Sequence, residues 1–324
     1  MYSLEELRHF IHQAAKDLEV SREPKELYQP IQYVFQTGGK RLRPVLSLMA
    51  CNLFNDQVDQ AVMPALGLEV FHNFTLLHDD IMDGAILRRN QATVHEKWDQ
   101  NIAILSGDVM AIMAYEYITN CPVDILPEVI RIFNITARSV CEGQQYDMNF
   151  EKQIDVSTED YLKMIEKKTS VLLAACLQIG ALIGGAPKPD AEQLYDFGLN
   201  LGMAFQLQDD ILDSFGNPEL FGKEIGGDIK SNKKTWLLIK TLEMAKPGDK
   251  KKLVKLLAGT NRDDEGKVDE ILSLYNMLGI KELAEKLVQF YFNKARTNLN
   301  NVRVSNERKS ILRELTDSLM NREK

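Results

Sequence analysis

The sequence is poor in cysteine and tryptophan: its 324 residues include four of the first and two of the second. Cys51, Cys121, Cys141 and Cys176 stand far apart with no CxxC spacing. That excludes a disulfide frame and a zinc ribbon, and reads as reduced, buried thiols. Long apolar runs are missing too. No stretch reaches the ~18 apolar residues of a membrane span. The N-terminal segment MYSLEELRHFIHQAAKDLEV carries acidic residues and lacks the apolar core of a signal peptide. A soluble cytoplasmic protein without a membrane span is expected. Positive charge is in deficit, 39 Lys+Arg against 47 Asp+Glu for a net −8. This disfavours nucleic acid, which needs a basic face to neutralise its phosphates. A local basic pocket can still hold a diphosphate.

Strand signals are scarce as well. There are few alternating Val/Ile/Thr stretches and almost no hairpin dipeptides. No Pro/Ser/Gly-rich linker divides the chain, so residues 1–324 read as one all-α domain. Helical periodicity fills the rest, as in LEELRHFIHQAAKDL and ELAEKLVQFYFNKAR. Turn signals fall at Thr37-Gly38-Gly39, Gly184-Gly185-Ala186-Pro187, Phe215-Gly216-Asn217-Pro218 and Gly226-Gly227-Asp228. The charged stretch Lys246 to Lys255 reads as a solvated face containing a turn.

One internal echo carries chemistry. Asp79-Asp80-Ile81-Met82-Asp83 recurs 130 residues later as Asp209-Asp210-Ile211-Leu212-Asp213. In each copy the first and last Asp lie four residues apart, on one face of a helix, with the middle Asp about a quarter-turn round. Three carboxylates so close repel one another unless cations neutralise them. Hard oxygen donors select Mg²⁺, Ca²⁺ or Mn²⁺ over zinc. A lone DDxxD is often an exposed acidic patch or a helix-capping run. Two copies on otherwise apolar helices point to similar helix ends placed opposite one another. Basic residues gather near turns around them: Lys40, Arg41 and Arg43 behind Gly38-Gly39, Arg88-Arg89, Lys167-Lys168-Thr169 interrupting a helix that continues as the apolar SVLLAACLQIGALIGG, Gly222-Lys223, and the run from Lys230 to Lys234. Such a set suits polyphosphate held both directly and through metal.

The ordered motifs GGKRLRP, HDDIMDGAILRR, GQQYD, KKTS, FQLQDDILD and GKEIGGDIKSNKKTW, from Gly38 to Trp236, resemble those of the trans-isoprenyl diphosphate synthases. This is the family of farnesyl and geranylgeranyl diphosphate synthases. The resemblance implies an all-α bundle of long helices around a central cavity, usually as a homodimer. It implies isopentenyl diphosphate and an allylic diphosphate as substrates, and about three magnesium ions bound with the allylic diphosphate. Asp79, Asp83 and Asp209 match its direct metal ligands; Asp80, Asp210 and Asp213 match supporting positions. Arg88, Lys168 and Lys223 match residues that hold the allylic diphosphate, with Lys233 nearby. Lys40, Arg43, His72 and Arg89 match the isopentenyl diphosphate site. Thr169 and Gln206 match groups beside the developing allylic cation, and Gln144 and Asp147 line the same cavity. The family's ruler for product length lies four or five positions before the first Asp, here Thr75 and Phe74. One aromatic, one small residue and no insertion resemble geranylgeranyl synthases, so C20 is favoured over C15.

Two other readings are weaker. Glu69-Val-Phe-His72 matches the Glu-x-x-His of di-iron bundles, but such a site needs the motif twice. The only other such spacing, Glu6-Leu-Arg-His9, lies in the polar N-terminal segment, so the match reads as accidental, with His72 a phosphate donor. A non-catalytic synthase subunit would be expected to lose an aspartate cluster. This chain keeps both.

Overall fold

A computed structural model describes the chain except residues 17, 19, 154, 217–224, 259–263 and 321–324. Helices dominate it: α1 (Leu4–Lys16), α2 (Lys25–Gln36), α3 (Leu42–Asn52), α4 (Asp59–Met82), α5 (Val94–Lys97), α6 (Gln100–Ile118), α7 (Leu126–Lys152), α8 (Thr158–Ile165), α9 (Val171–Ile183) and α10 (Lys188–Phe215). Beyond them come α11 (Gly227–Lys230), α12 (Trp236–Met244), α13 (Pro247–Ala258), α14 (Asp264–Met277), α15 (Ile280–Asn301) and α16 (Ser310–Met320). No described helix is long and apolar enough to cross a membrane.

The helix ends obey local chemistry. Asp99 caps α6 by accepting from the amide of Ile102 at 2.9 Å, and Ser157 with Asp160 forms a capping box at α8. Pro44 sits in the first turn of α3, where no intrahelical donor is needed. The stretch Lys246 to Lys255 is mostly helical, because α13 begins at Pro247.

Contacts divide the chain into two compact units. The first comprises residues 1–135, 172–195 and 301–312. Its core is built from α3, buried from Pro44 to Asn52, and from the apolar α9 residues Leu172 to Ala181. α9 is apolar all round because it is buried all round. Each such Leu or Ile removed from water contributes about 1.5–3 kcal/mol. The second unit comprises residues 136–171, 196–300 and 313–324. It centres on Tyr161, Trp236, Leu237, Tyr275 and Phe292, all buried.

Three features depart from the sequence reading. A small antiparallel hairpin, β1 (Leu87–Arg88) with β2 (Gln91–Ala92), interrupts the helices. Its turn residues Arg89 and Asn90 both have positive φ, 54° and 61°, the geometry of a tight primed turn. Arg-Asn is not a recognised hairpin dipeptide, so nothing in the sequence announced it. Second, Glu166–Ser170 forms a π-helical turn between α8 and α9 rather than a simple break. Third, Cys141 is exposed, while Cys51, Cys121 and Cys176 are buried. It follows the buried Val140 on α7, and one residue's rotation carries it to the outer face.

Candidate active site

Both aspartate clusters occupy the last turns of their helices. Asp79 and Asp80 lie in the final turn of α4, with Asp83 as its C-cap. Asp209, Asp210 and Asp213 lie in the last two turns of α10. The helix macrodipole is negative there, so carboxylates are disfavoured rather than useful as caps. Their placement requires cations from elsewhere.

In the first unit those cations come from the hairpin. Arg88 donates from Nε to Asp80 Oδ1 at 2.6 Å, and its Nη2 lies 3.5 Å from Asp79 Oδ2. Asp80 is only 5% exposed, and burial raises its pKa against the opposing pull of Arg88. Asp79 is partly exposed and Asp83 exposed. Arg89 donates from Nη1 to the carbonyl of Gly38. Gly39, with φ +142°, leaves the room that guanidinium occupies; a Cβ there would come within 2.8 Å of Nη1. Lys40 lines an open cavity of about 480 Å³ with Arg8, His9 and His12 of α1 and with Arg41.

His72 meets Arg43, with Nε2 at 2.9 Å from Nη1. Arginine only donates, so Nε2 accepts and the ring is neutral with its proton on Nδ1. Burial, then Arg43, holds the imidazole well below its usual pKa. Any donation by His72 to phosphate therefore falls to Nδ1. A neutral buried histidine contributes stability that is present above its unfolded value near 6.5 and is lost as pH falls below it. Urea midpoints measured from pH 7 to 5 should fall less steeply for His72→Gln, by up to about 1.4 kcal/mol per pH unit. Parallel curves for variant and wild type would show the ring is not buried neutral.

In the second unit the π-helical turn presents Lys168 and Thr169. Such turns cost regular hydrogen bonding and recur at functional sites. Lys168 Nζ lies 2.6 Å from Asp147 Oδ2 of α7. Thr169 Oγ1 is 3.5 Å from Gln206 Oε1, and Gln206 Nε2 is 3.5 Å from Asp210 Oδ1. Asp210 is 2% exposed and accepts from the Tyr161 hydroxyl at 2.6 Å and from the Trp236 amide at 3.4 Å. Burial pushes its carboxyl up to about 7, opposed by the Tyr161 hydrogen bond. Asp213 accepts from the Asp228 amide at 3.0 Å, and Lys233 Nζ lies 3.6 Å from Asp228 Oδ1. Gln144 Nε2 is buried with no partner among the described residues. Lys223 lies outside them.

The donor sets fit magnesium. In each cluster the middle Asp is buried and hydrogen-bonded within the protein, while the outer pair lies nearer solvent. Among the described residues, no three His, Cys, Asp or Glu side chains form a closed metal cage. Such an outer pair suits Mg²⁺, which takes one or two carboxylates and completes its shell with water and substrate phosphate. Glu69 and His72 do not serve a di-iron site: both face arginines.

Phe74 and Thr75 diverge as the helical wheel implies. Phe74 packs edge-on against His78 at 4.7 Å and tilts over Phe71 at 5.5 Å. Phe71 in turn meets Phe133 of α7 at 5.1 Å. Thr75 donates back to the His72 carbonyl at 2.8 Å.

An all-helical protein with paired aspartate clusters and arginine- and lysine-bearing turns is built for diphosphate chemistry. Residues 24–275 match the polyprenyl synthetase family model. The geranylgeranyl diphosphate synthase of Sulfolobus acidocaldarius is 39% identical over 289 residues, covering 87% of this chain and 86% of that one. A short chain isoprenyl diphosphate synthase of Methanothermobacter thermautotrophicus is 35% identical, over 90% and 86%. A crystal structure of a geranylgeranyl pyrophosphate synthase superposes with a TM-score of 0.94 at 42% identity, covering 99% of each chain. The chain belongs to the polyprenyl synthetase family and has the all-α isoprenoid synthase fold. It is a prenyltransferase of isoprenoid biosynthesis, a short-chain isoprenyl diphosphate synthase.

Proposed function

We propose that this chain joins isopentenyl diphosphate head-to-tail to allylic diphosphates and releases C20 geranylgeranyl diphosphate. The observation that carries the reading is the placing of a basic segment beside each aspartate cluster. Arg88 stands at the first cluster and Lys233, through Asp228, near the second. Magnesium bound at Asp79, Asp83 and Asp209 would supply Lewis-acid stabilisation of the diphosphate leaving group. Asp80, Asp210 and Asp213 would support those ligands.

Arg88, Lys168 and Lys233 hold the allylic diphosphate as donors where negative charge develops, and Lys223, outside the described residues, matches the same role by its motif. The allylic C–O bond breaks and its electron pair leaves with the diphosphate. Thr169 and Gln206, with Gln144 and Asp147 nearby, line the place of the allylic cation, which water must not reach. Isopentenyl diphosphate, held by Lys40, Arg43, His72 and Arg89, attacks through its double bond. A new C–C bond forms, and the released diphosphate takes the proton.

Support for C20 comes from the names of similar proteins and from Phe74, a single aromatic beside the small Thr75. Phe74→Ala should lengthen the main product by at least one isoprene unit, and Thr75→Phe should shorten it. Mass spectrometry of the products decides; unchanged length in both variants removes the ruler argument. A homodimer is supported by the apolar residues that α6 exposes, Ile104, Leu105, Ile112 and Tyr115, with Ile135 of α7. Four free thiols suit a reducing cytoplasm.

The direct test incubates the protein with magnesium, isopentenyl diphosphate and each allylic primer, and identifies products by mass. No elongation from any primer sinks the synthase reading. A C15 main product keeps the synthase and overturns the product assignment.

A further inference from the structure

Glu69 has no place in the chemistry above, yet it is 5% exposed at the middle of α4, one turn before His72. A buried carboxylate is costly unless it is paired. Asn73 Nδ2 donates to the Glu69 carbonyl at 2.8 Å and reaches its Oε1 at 3.4 Å. Burial raises the Glu69 pKa, and three guanidiniums oppose it: Arg43 first, then Arg89 and Arg41. These come from three places in the first unit: α3, the hairpin turn and the N-cap of α3. Among charged groups, Glu69 is the foremost attraction for both Arg43 and Arg89. Arg43 and Arg89 themselves repel.

The cluster is not neutral. Three guanidiniums act through space on one buried carboxylate, with Asp80 a weaker counter-charge for Arg89 alone, so positive charge is in excess. Donors are in excess too, since Arg43 Nε and Arg41 Nη1 are buried without a partner among the described residues. A small cavity bordered by Asn73, Asp80, Arg88 and Arg89 adjoins it. Buried, unpaired donors around surplus positive charge are what an anion would complete.

We infer that Glu69 is a positioning residue for the isopentenyl diphosphate subsite, holding Arg43 and Arg89 together against their repulsion so that both point at one diphosphate. This rests on the function proposed above. The Glu-x-x-His spacing thereby acquires a reason: Glu69 holds Arg43 by charge, and one turn on His72 holds the same guanidinium by a hydrogen bond.

The alternative is that Glu69 is only a counter-ion for the folded chain, and the two readings differ in sign. Glu69→Gln keeps the volume and can keep the contact with Asn73, but removes one negative charge near the anion site. Charge counting alone then predicts tighter binding of a diphosphate. Loss of positioning predicts weaker binding, because the arginines must be reordered on arrival.

Calorimetric titration of isopentenyl diphosphate and of inorganic diphosphate onto the full-length protein separates them, beside steady-state KM for both substrates. The expected result is isopentenyl diphosphate binding and KM weakened about tenfold in Glu69→Gln, with the allylic KM unchanged. Glu69→Asp, which keeps the charge on a shorter stem, should fall between. Unchanged or tighter isopentenyl diphosphate binding overturns the inference. So does equal weakening for both substrates, which would assign Glu69 to the fold alone. If the wild type elongates nothing, the synthase reading fails, while the binding comparison still decides this one.

Discussion

Asp79→Asn will lower elongation turnover by about 10³-fold while leaving the metal-free protein at least as stable as the wild type. Asp79 is one of the outer pair of the first cluster and lies in the last turn of α4. Arg88 reaches it only at 3.5 Å, while Asp80, Asp83 and the negative end of the helix stand closest along the chain, so neutralising it relieves repulsion of about 0.3–1 kcal/mol. The same substitution removes a hard anionic donor from a set that needs both its outer members. Active sites commonly hold such destabilising groups, and removing them trades function for stability.

Asp80→Asn should behave in the opposite way. Asp80 is buried and receives the Arg88 Nε at 2.6 Å, so the variant removes the shorter of that guanidinium's two ionic contacts and leaves only Asp79 at 3.5 Å. Arg88 is 35% exposed, so losing one side of this half-buried pair costs about 1–3 kcal/mol. Thermal melts of the metal-free variants, with turnover measured across a magnesium titration, check both. Equal loss of stability in Asp79→Asn and Asp80→Asn would erase the distinction between outer and middle aspartates.

Gly143→Ala will lower turnover by about 10²-fold through a backbone clash, with no charge added or removed. Gly143 stands in the GQQYD segment of α7, one residue before Gln144. A Cβ there would run into the backbone of Lys168, in the π-helical turn. On the other side of that turn, Gly202 of α10 lets Ser170 approach: a Cβ at 202 would lie 2.8 Å from its Cα. The turn carrying Lys168 and Thr169 is thus seated between two helices that lack side chains where it touches them. Neither contact is a flexible tip, so the backbone itself must move. Overpacking of this kind costs about 1–3 kcal/mol of stability. A displacement of even about 1 Å is enough to spoil donor geometry. The expected signature is a raised allylic KM with the isopentenyl diphosphate KM unchanged, because Arg43 and His72 belong to the first unit. Wild-type turnover in Gly143→Ala would mean the turn tolerates the shift.

Much of this was legible beforehand, and the reasons are local. DDxxD spacing follows from 3.6 residues per turn, so shared helix faces for Asp79 with Asp83 and Asp209 with Asp213 need no tertiary information. The break at Lys167-Lys168-Thr169 was visible as charge interrupting an apolar run, although its π-helical form was not. The hairpin of Arg88 and Arg89 was invisible, because its register depends on Arg89 and Asn90 both taking positive φ. Glu69 was read as an accident of spacing. A periodic pattern cannot say that three arginines from different segments come near enough to act on one buried carboxylate.

The sequence by itself determined that the chain is helical, that its aspartate clusters and basic turns suit hard cations and polyphosphate, and which residues stand one or two turns apart on a shared face. These follow from periodicity and charge, which act over a few residues. Only the tertiary structure decided that Asp80 and Asp210 are the buried members of their clusters. It also decided that His72 accepts from Arg43 rather than standing ready as a cation, and that Gly143 makes room for Lys168. Burial, protonation and close backbone approach depend on what arrives from distant parts of the chain, and a linear pattern carries no record of that.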